Sequence, residues 1–238
     1  MGDEALLLVP GLMCDHTVWE PVMPALEARL RCTVVALADV DDLARMAHAL
    51  LADAPARFAL AGHSMGARVA LEVLRQAPQR VSRIALLDTG YLARAPGAAG
   101  EEEARKRQSL LDLARAQGVR AMATEWVQGM VHPQRIADDV LIGRIVAMFE
   151  RKSADTFARQ IRALLGRPDA SAVLGAIAVP ALVLCGRQDS WAPVPQHQQI
   201  HQRIAQATLA VVEEAGHMAP MERPDAVSAH LLRWLDQD

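Results

Sequence analysis

Ser64 stands between Gly62 and Gly66 in Gly62-His63-Ser64-Met65-Gly66, where an apolar run, FALAG (58–62), gives way to the helical spacing of MGARVALEVLRQAP. A serine gains nothing there by packing. Placed in a strained strand-to-helix turn, its hydroxyl stands clear of the backbone, and the glycines leave room for the turn and for the helix behind it. Such a serine becomes a nucleophile when a base takes its proton and an acid orients the base. In chains with this turn the order is serine, acid, histidine. Asp189 in LVLCGRQDSWAP and His217 in EEAGHMAPMERP follow in that order, each just past an apolar run. Asp88, at the end of SRIALLDTG, competes for the role of acid. Acyl chemistry also needs donors for an oxyanion. The backbone N–H groups of Met65, next after the nucleophile, and of Leu12, in the turn Pro10-Gly11-Leu12-Met13-Cys14, are the candidates.

Residues spread this widely need a sheet to gather them. ALLLVPG (5–11), TVVALAD (33–39), FALAG (58–62), SRIALLDTG (82–90), VPALVLCGRQD (179–189) and TLAVVEEAGH (208–217) read as strands. DDLARMAHALL, MGARVALEVLRQAP, QHQQIHQRIA and PDAVSAHLLRWL read as helices between and after them. Near-continuous apolar strands alternating with helices predict an α/β chain whose parallel sheet is covered on both faces. Functional side chains in such sheets gather past the carboxyl ends of the strands. The alternation stops from about Tyr91 to Asp169, where about four stretches of helical spacing follow one another. The expected organisation is a core from residues 1–90 and 171–238, with 91–170 inserted as a helical cap.

The totals exclude several classes. With 52% hydrophobic and 22% charged residues, the 238-residue chain is globular rather than disordered. A formal net charge of −3 gives no basic footprint for nucleic acid. No apolar run approaches the roughly 20 residues of a membrane span. The acids of MGDEALLLVPG argue against an export signal. Cys14, Cys32 and Cys185 are odd in number and far apart, which reads as reduced thiols in a cytoplasmic protein, a monomer or homodimer. Residues 91–170 hold 13 Lys+Arg against 10 Asp+Glu. That excess reads as a solvated helical surface, with an anion-attracting surface as the alternative. His197 and His201 have metal-ligand spacing but no third ligand nearby, so they read as a solvated helix face. His132 reads as a histidine at a loop or helix end, and Glu213 and Glu214 as surface residues. Met13, His63, Trp126, Met130, Phe149, Trp191 and Met218 are candidates to line a substrate pocket.

VPGLMCDHTVW, AGHSMGARVALEVL, ALVLCGRQDSWAP and EEAGHMAPMERP, in that order, resemble the α/β-hydrolase fold superfamily over nearly the whole chain. The last contains G-H-x-x-x-x-E-x-P, a pattern common there. The resemblance is nearest to cofactor-free esterases and lactonases of the pimeloyl-carrier-protein methyl esterase and 3-oxoadipate enol-lactonase type. It implies a serine hydrolase cleaving an ester, thioester or lactone of a small molecule, with no metal or cofactor. C–C hydrolysis, enol-lactone opening and acyl transfer use the same three residues, and a ligand sensor on the same scaffold is a further alternative. The chain begins at what is normally the third strand, so about six strands are expected. Pro10-Gly11 replaces the His-Gly found in many members. A serine rather than an aspartate at position 64 argues against haloalkane dehalogenase and epoxide hydrolase chemistry.

Overall fold

The computed structural model describes residues 5–237; residues 1–4, on which the expectation about an export signal partly rests, and residue 238 lie outside the described chain. Six strands form one sheet: β1 Ala5–Val9, β2 Arg31–Val34, β3 Phe58–His63, β4 Val81–Leu87, β5 Ala181–Gly186 and β6 Ala207–Val212. All pairs are parallel, in the order β2-β1-β3-β4-β5-β6. β3 and β5 are buried at every position, which accounts for their unbroken apolar sequences.

Right-handed crossovers decide which face each helix covers. The step from β1 to β2 runs one way along the sheet, and every later step runs the other way. That puts α1 (Met23–Glu27) on one face and α2 (Leu43–Asp53), α3 (Met65–Gln76) and α9 (Val194–His201) on the opposite face. The packing agrees. α3 lies against α2 and strands β1, β3 and β4, while α11 (Pro224–Leu235) lies against α1 and strands β5 and β6. The short α10 (Ala219–Glu222) precedes α11.

The strand expected at 33–39 ends early. β2 is an edge strand that pairs with β1 only to Val34; Val35 donates one more bond to Leu8 O (2.9 Å), after which the chain leaves the sheet.

Between β4 and β5 the described chain has no strand. It forms α4 (Ala98–Gln117), α5 (Val119–Trp126), α6 (Asp139–Glu150) and α7 (Ala154–Leu165), then α8 (Ser171–Gly175). The positive excess of this segment is only partly a solvated surface. α4 does carry exposed pairs such as Arg105–Glu102. Four arginines of α6, α7 and the turn between them instead meet acids of the negatively charged remainder. Arg144 pairs with Glu20 (3.0 Å), Arg151 with Asp15 (2.7 Å), Arg162 with Asp41 (3.1 Å), and Arg159 with Asp39. Such exposed pairs are each worth about 0–1 kcal/mol, so their main effect is to set how the helices sit on the sheet.

Candidate active site

The sheet delivers Ser64 to the end of β3 at the N-terminus of α3. Its backbone is at φ 55° and ψ −116°, a conformation that costs a residue with a Cβ about 1–3 kcal/mol. Two flanking glycines are dictated by space. A Cβ at Gly62 would lie 2.5 Å from Ala67 N, and one at Gly66 would lie 2.2 Å from Val9 O. The serine N–H is tied to Leu87 O at 2.9 Å, so the turn is fastened to β4.

Two loops at the same edge bring the other groups. His217, past β6, places Nε2 2.8 Å from Ser64 Oγ, and its Nδ1 lies 2.8 Å from Asp189 Oδ2, past β5. The other carboxylate oxygen of Asp189 accepts the N–H groups of Trp191 (2.9 Å) and Ala192 (3.0 Å). Burial alone would raise the Asp189 carboxyl. The histidine and these N–H donors outweigh it and hold the group below its ordinary range. Asp88 does not reach His217. Its Oδ1 accepts Gly186 N–H at 2.9 Å, and burial, with Asp189 nearby, pushes its carboxyl well above the ordinary range.

Met65 opens α3, so its N–H has no carbonyl one turn back to bond. Leu12 lies in the turn closed by Cys14 N–H to Gly11 O (3.1 Å). The next amide, Met13 N–H, is held by Gln160 Oε1 of α7 at 2.8 Å, and Met13 takes a φ of 61°.

Over residues 6–230 the chain matches the Alpha/beta hydrolase family. It belongs to that family. Among its relatives, the dihydrolipoyllysine-residue acetyltransferase component of the acetoin cleaving system of Pseudomonas putida is 31% identical over 98% of this chain, which spans only 64% of that protein's length. A pimeloyl-[acyl-carrier protein] methyl ester esterase of Nitrosomonas europaea is 24% identical over 92% of this chain and 91% of its own. The solved enol-lactonase of Burkholderia xenovorans superposes with a TM-score of 0.87, covering all of this chain and 93% of that one at 22% identity, a likeness of fold.

Two further histidines of this hydrolase are buried close to His217. His63, in the serine turn, contacts His217 O at 2.8 Å through Nε2, and burial, then the neighbouring His217, pushes it down to about 3. His197 is not on a solvated face. It is fully buried, and its Nε2 accepts Thr89 N–H at 3.0 Å, fixing the loop after β4. Burial pushes His197 from 6.5 down to about 4. The folded protein keeps it neutral where the unfolded chain takes up a proton. Its contribution to stability is whole above about pH 6.5 and is lost, at about 1.4 kcal/mol per pH unit, as pH falls from there toward 4. Asp88 works the other way, releasing a proton on unfolding, so a variant isolates the histidine better than the wild-type curve. His197→Gln keeps an acceptor for Thr89 and loses the titration. Its urea-unfolding free energy should fall less steeply than the wild type's between about pH 6.5 and 4, by about that slope. Parallel curves for the two proteins would contradict the neutral buried imidazole.

A cavity of about 740 Å³ opens over Ser64 and His217. His63, Trp126, Met130, Phe149, Trp191 and Met218 line it, as do Leu12 and Met65; Met13 does not, being wholly buried in the core. Trp126 is the centre of an aromatic wall, with Phe149, Phe157 and Trp191 rings each 5.4 Å away. Trp191 continues to the His217 ring at 4.9 Å. His132 is a helix-end residue as expected, its Nδ1 accepting Gln134 N–H at 3.1 Å.

Two supporting residues escaped the reading of the sequence. Glu222 is the glutamate of the G-H-x-x-x-x-E pattern, and it is buried. It accepts Gly216 N–H (2.8 Å) and His132 N–H (2.6 Å), bracketing the histidine loop, while His217 N–H donates to Met130 O (2.6 Å). The motif was a signal for it. Gln160 had none, because its partner amide is 147 residues away.

Proposed function

We propose that this protein is a serine hydrolase that cleaves a carboxylic ester, thioester or lactone of a small molecule through an acyl-enzyme. The observation that carries the reading is the unbroken chain Ser64 Oγ, His217 Nε2, His217 Nδ1, Asp189 Oδ2, with both gaps at 2.8 Å. Ser64 Oγ attacks the carbonyl carbon as His217 takes the hydroxyl proton. Asp189 holds the imidazole with its proton on Nδ1 and stabilises the imidazolium. The N–H groups of Leu12 and Met65 receive the oxyanion. When the tetrahedral intermediate collapses, the bond to the leaving oxygen or sulfur breaks, and the leaving group takes the proton from His217. Water then attacks the acyl-enzyme, loses a proton to His217, and releases the acid as Ser64 regains its hydrogen.

Residues 91–170 act as a cap in this reading. α5, α6 and α7 carry Trp126, Phe149 and Phe157 over the cavity and exclude water from the intermediate. The three cysteines are free, which suits a reducing cytoplasm, and burial pushes the Cys14 thiol up to about 12. Among the described residues no helix is long and apolar enough to cross a membrane.

A p-nitrophenyl ester series of increasing acyl length tests the proposal. The expected result is turnover with an initial burst, and an organophosphorus probe found on Ser64 by mass spectrometry. Absence of turnover on esters, thioesters and lactones, together with an unlabelled Ser64, would refute it.

A further inference from the structure

The cavity lining is of two kinds. Besides the aromatic wall it includes Arg68, Arg107, Arg167 and Glu103. Arg68 comes from α3, four residues or about one helical turn after Ser64, so the two Cα atoms are separated by about 6 Å of rise. Arg107 comes from α4, and Arg167 follows α7. Arg68 Nη1 and Arg167 Nε both donate to the carbonyl oxygen of Leu92, at 3.0 and 3.3 Å, so the two guanidinium groups converge. Arg167 also grips both oxygens of Glu103 at 2.7 Å, and Arg107 Nε meets the same carboxylate at 3.0 Å.

Three cations therefore gather near one carboxylate, which pairs with two of them. Among the described residues Arg68 makes no ion pair; its protein acceptor is the neutral Leu92 carbonyl. Its Nη2 passes over Gly90, where a Cβ would come within 2.8 Å of it. The bare glycine leaves room there for the ends of the Arg68 and Gln196 side chains. Burial opposes its charge, and the two neighbouring arginines add to that. A cluster whose only work was to hold α4 in place would balance its charges. This one keeps two positive charges in excess, in a half-buried place that lines the same cavity as the nucleophile.

We infer that Arg68, Arg107 and Arg167 form an anion subsite, and that the preferred substrate is an ester bearing a free carboxylate a few bonds from the scissile carbonyl. The inference rests on the ester-hydrolase reading and narrows its substrate class. The reach is short because Arg68 stands one helical turn from Ser64. The carboxylate lies between the guanidinium forks while the carbon chain runs along Trp126 and Phe157. It belongs either to the acyl half or to the leaving alcohol.

The test compares kcat/KM by proton release in two series. The first sets monoethyl succinate, glutarate and adipate against ethyl esters of neutral acids of equal length. The second sets short acetoxy acids against alkyl acetates. The expected result is a preference of about 10- to 100-fold for the anionic member of one series, carried by KM. The series that shows it identifies the half that bears the charge. Arg68→Gln brings that ratio toward one, and Arg107→Gln serves as the second variant if the first does not fold. Arg115→Gln, on the exposed side of α4 and outside the cavity, keeps the wild-type ratio. Neutral esters cleaved as well as anionic ones, by a Ser64-dependent activity, would overturn the subsite and leave the hydrolase reading intact. Binding is read separately by thermal shift with glutarate. If no ester is turned over, the hydrolase reading fails, and stabilisation by glutarate that Arg68→Gln abolishes would still uphold the subsite, whereas no stabilisation would overturn it.

Discussion

Ser64→Gly is expected to lose turnover by about 10⁴- to 10⁶-fold while making the protein more stable. The first effect follows from the missing Oγ. What remains is the oxyanion donors and the binding of substrate, which give only residual rate. The second follows from the backbone. At φ 55° and ψ −116° the serine Cβ is held in a region that glycine occupies freely. Relief of about 1–3 kcal/mol is offset in part by the larger freedom of glycine in the unfolded chain, about 0.5–1 kcal/mol. A net gain of about 1 kcal/mol is the expected outcome. Ser64→Ala is the control. It loses turnover equally but keeps the Cβ, and with it the strain. Urea denaturation of the three proteins decides the matter. Equal stability for the glycine and alanine variants would mean that the turn stores no strain.

The second large effect separates two carboxyl groups. Asp189→Asn is expected to lower kcat by about 10³- to 10⁴-fold. The amide oxygen keeps the N–H groups of Trp191 and Ala192, which turns the NH₂ toward His217. His217 Nδ1 must then accept, its proton moves to Nε2, and Nε2 has no lone pair left for the serine proton. Asp88→Asn is expected to cost less than about tenfold, because burial already disfavours charge on Asp88 and an amide oxygen can still accept Gly186 N–H. Steady-state kinetics on one chromogenic ester compares the two. A larger loss in the Asp88 variant would transfer the role of triad acid to Asp88.

The features legible in the sequence are those carried by local pattern. All six strands begin within two residues of where apolar runs place them, and β1, β3 and β5, buried at every position, need no alternation. β2 was harder to bound, since an edge strand is paired on one side only and its end is set by β1. The turn at Ser64 was legible because steric need forces glycine at 62 and 66. His197 was misplaced for a definite reason. In QHQQIHQ a single apolar residue, Ile200, marks the buried side of α9, too little to make a stripe, and the partner of His197, Thr89 N–H, comes from 108 residues away. The cationic part of the cavity lining is a case of the same kind. The charge count over 91–170 registers Arg107 and Arg167, but Arg68 lies outside that segment, and nothing local says that the three meet.

The stacked pair of Trp126 and Trp191 has a spectroscopic consequence. The rings are 5.4 Å apart and 21° from parallel, one at the end of α5 and the other on the loop after β5. At that separation the electronic transitions of two indoles mix, and the mixing gives a paired band in circular dichroism. The remaining tryptophans, Trp19 and Trp234, are sealed in the core at 0% and 1% exposure and supply a constant background. Separation of α5 from the β5 loop would erase the paired band and nothing else in the spectrum, so the protein carries an unlabelled optical gauge of how far its cavity is open.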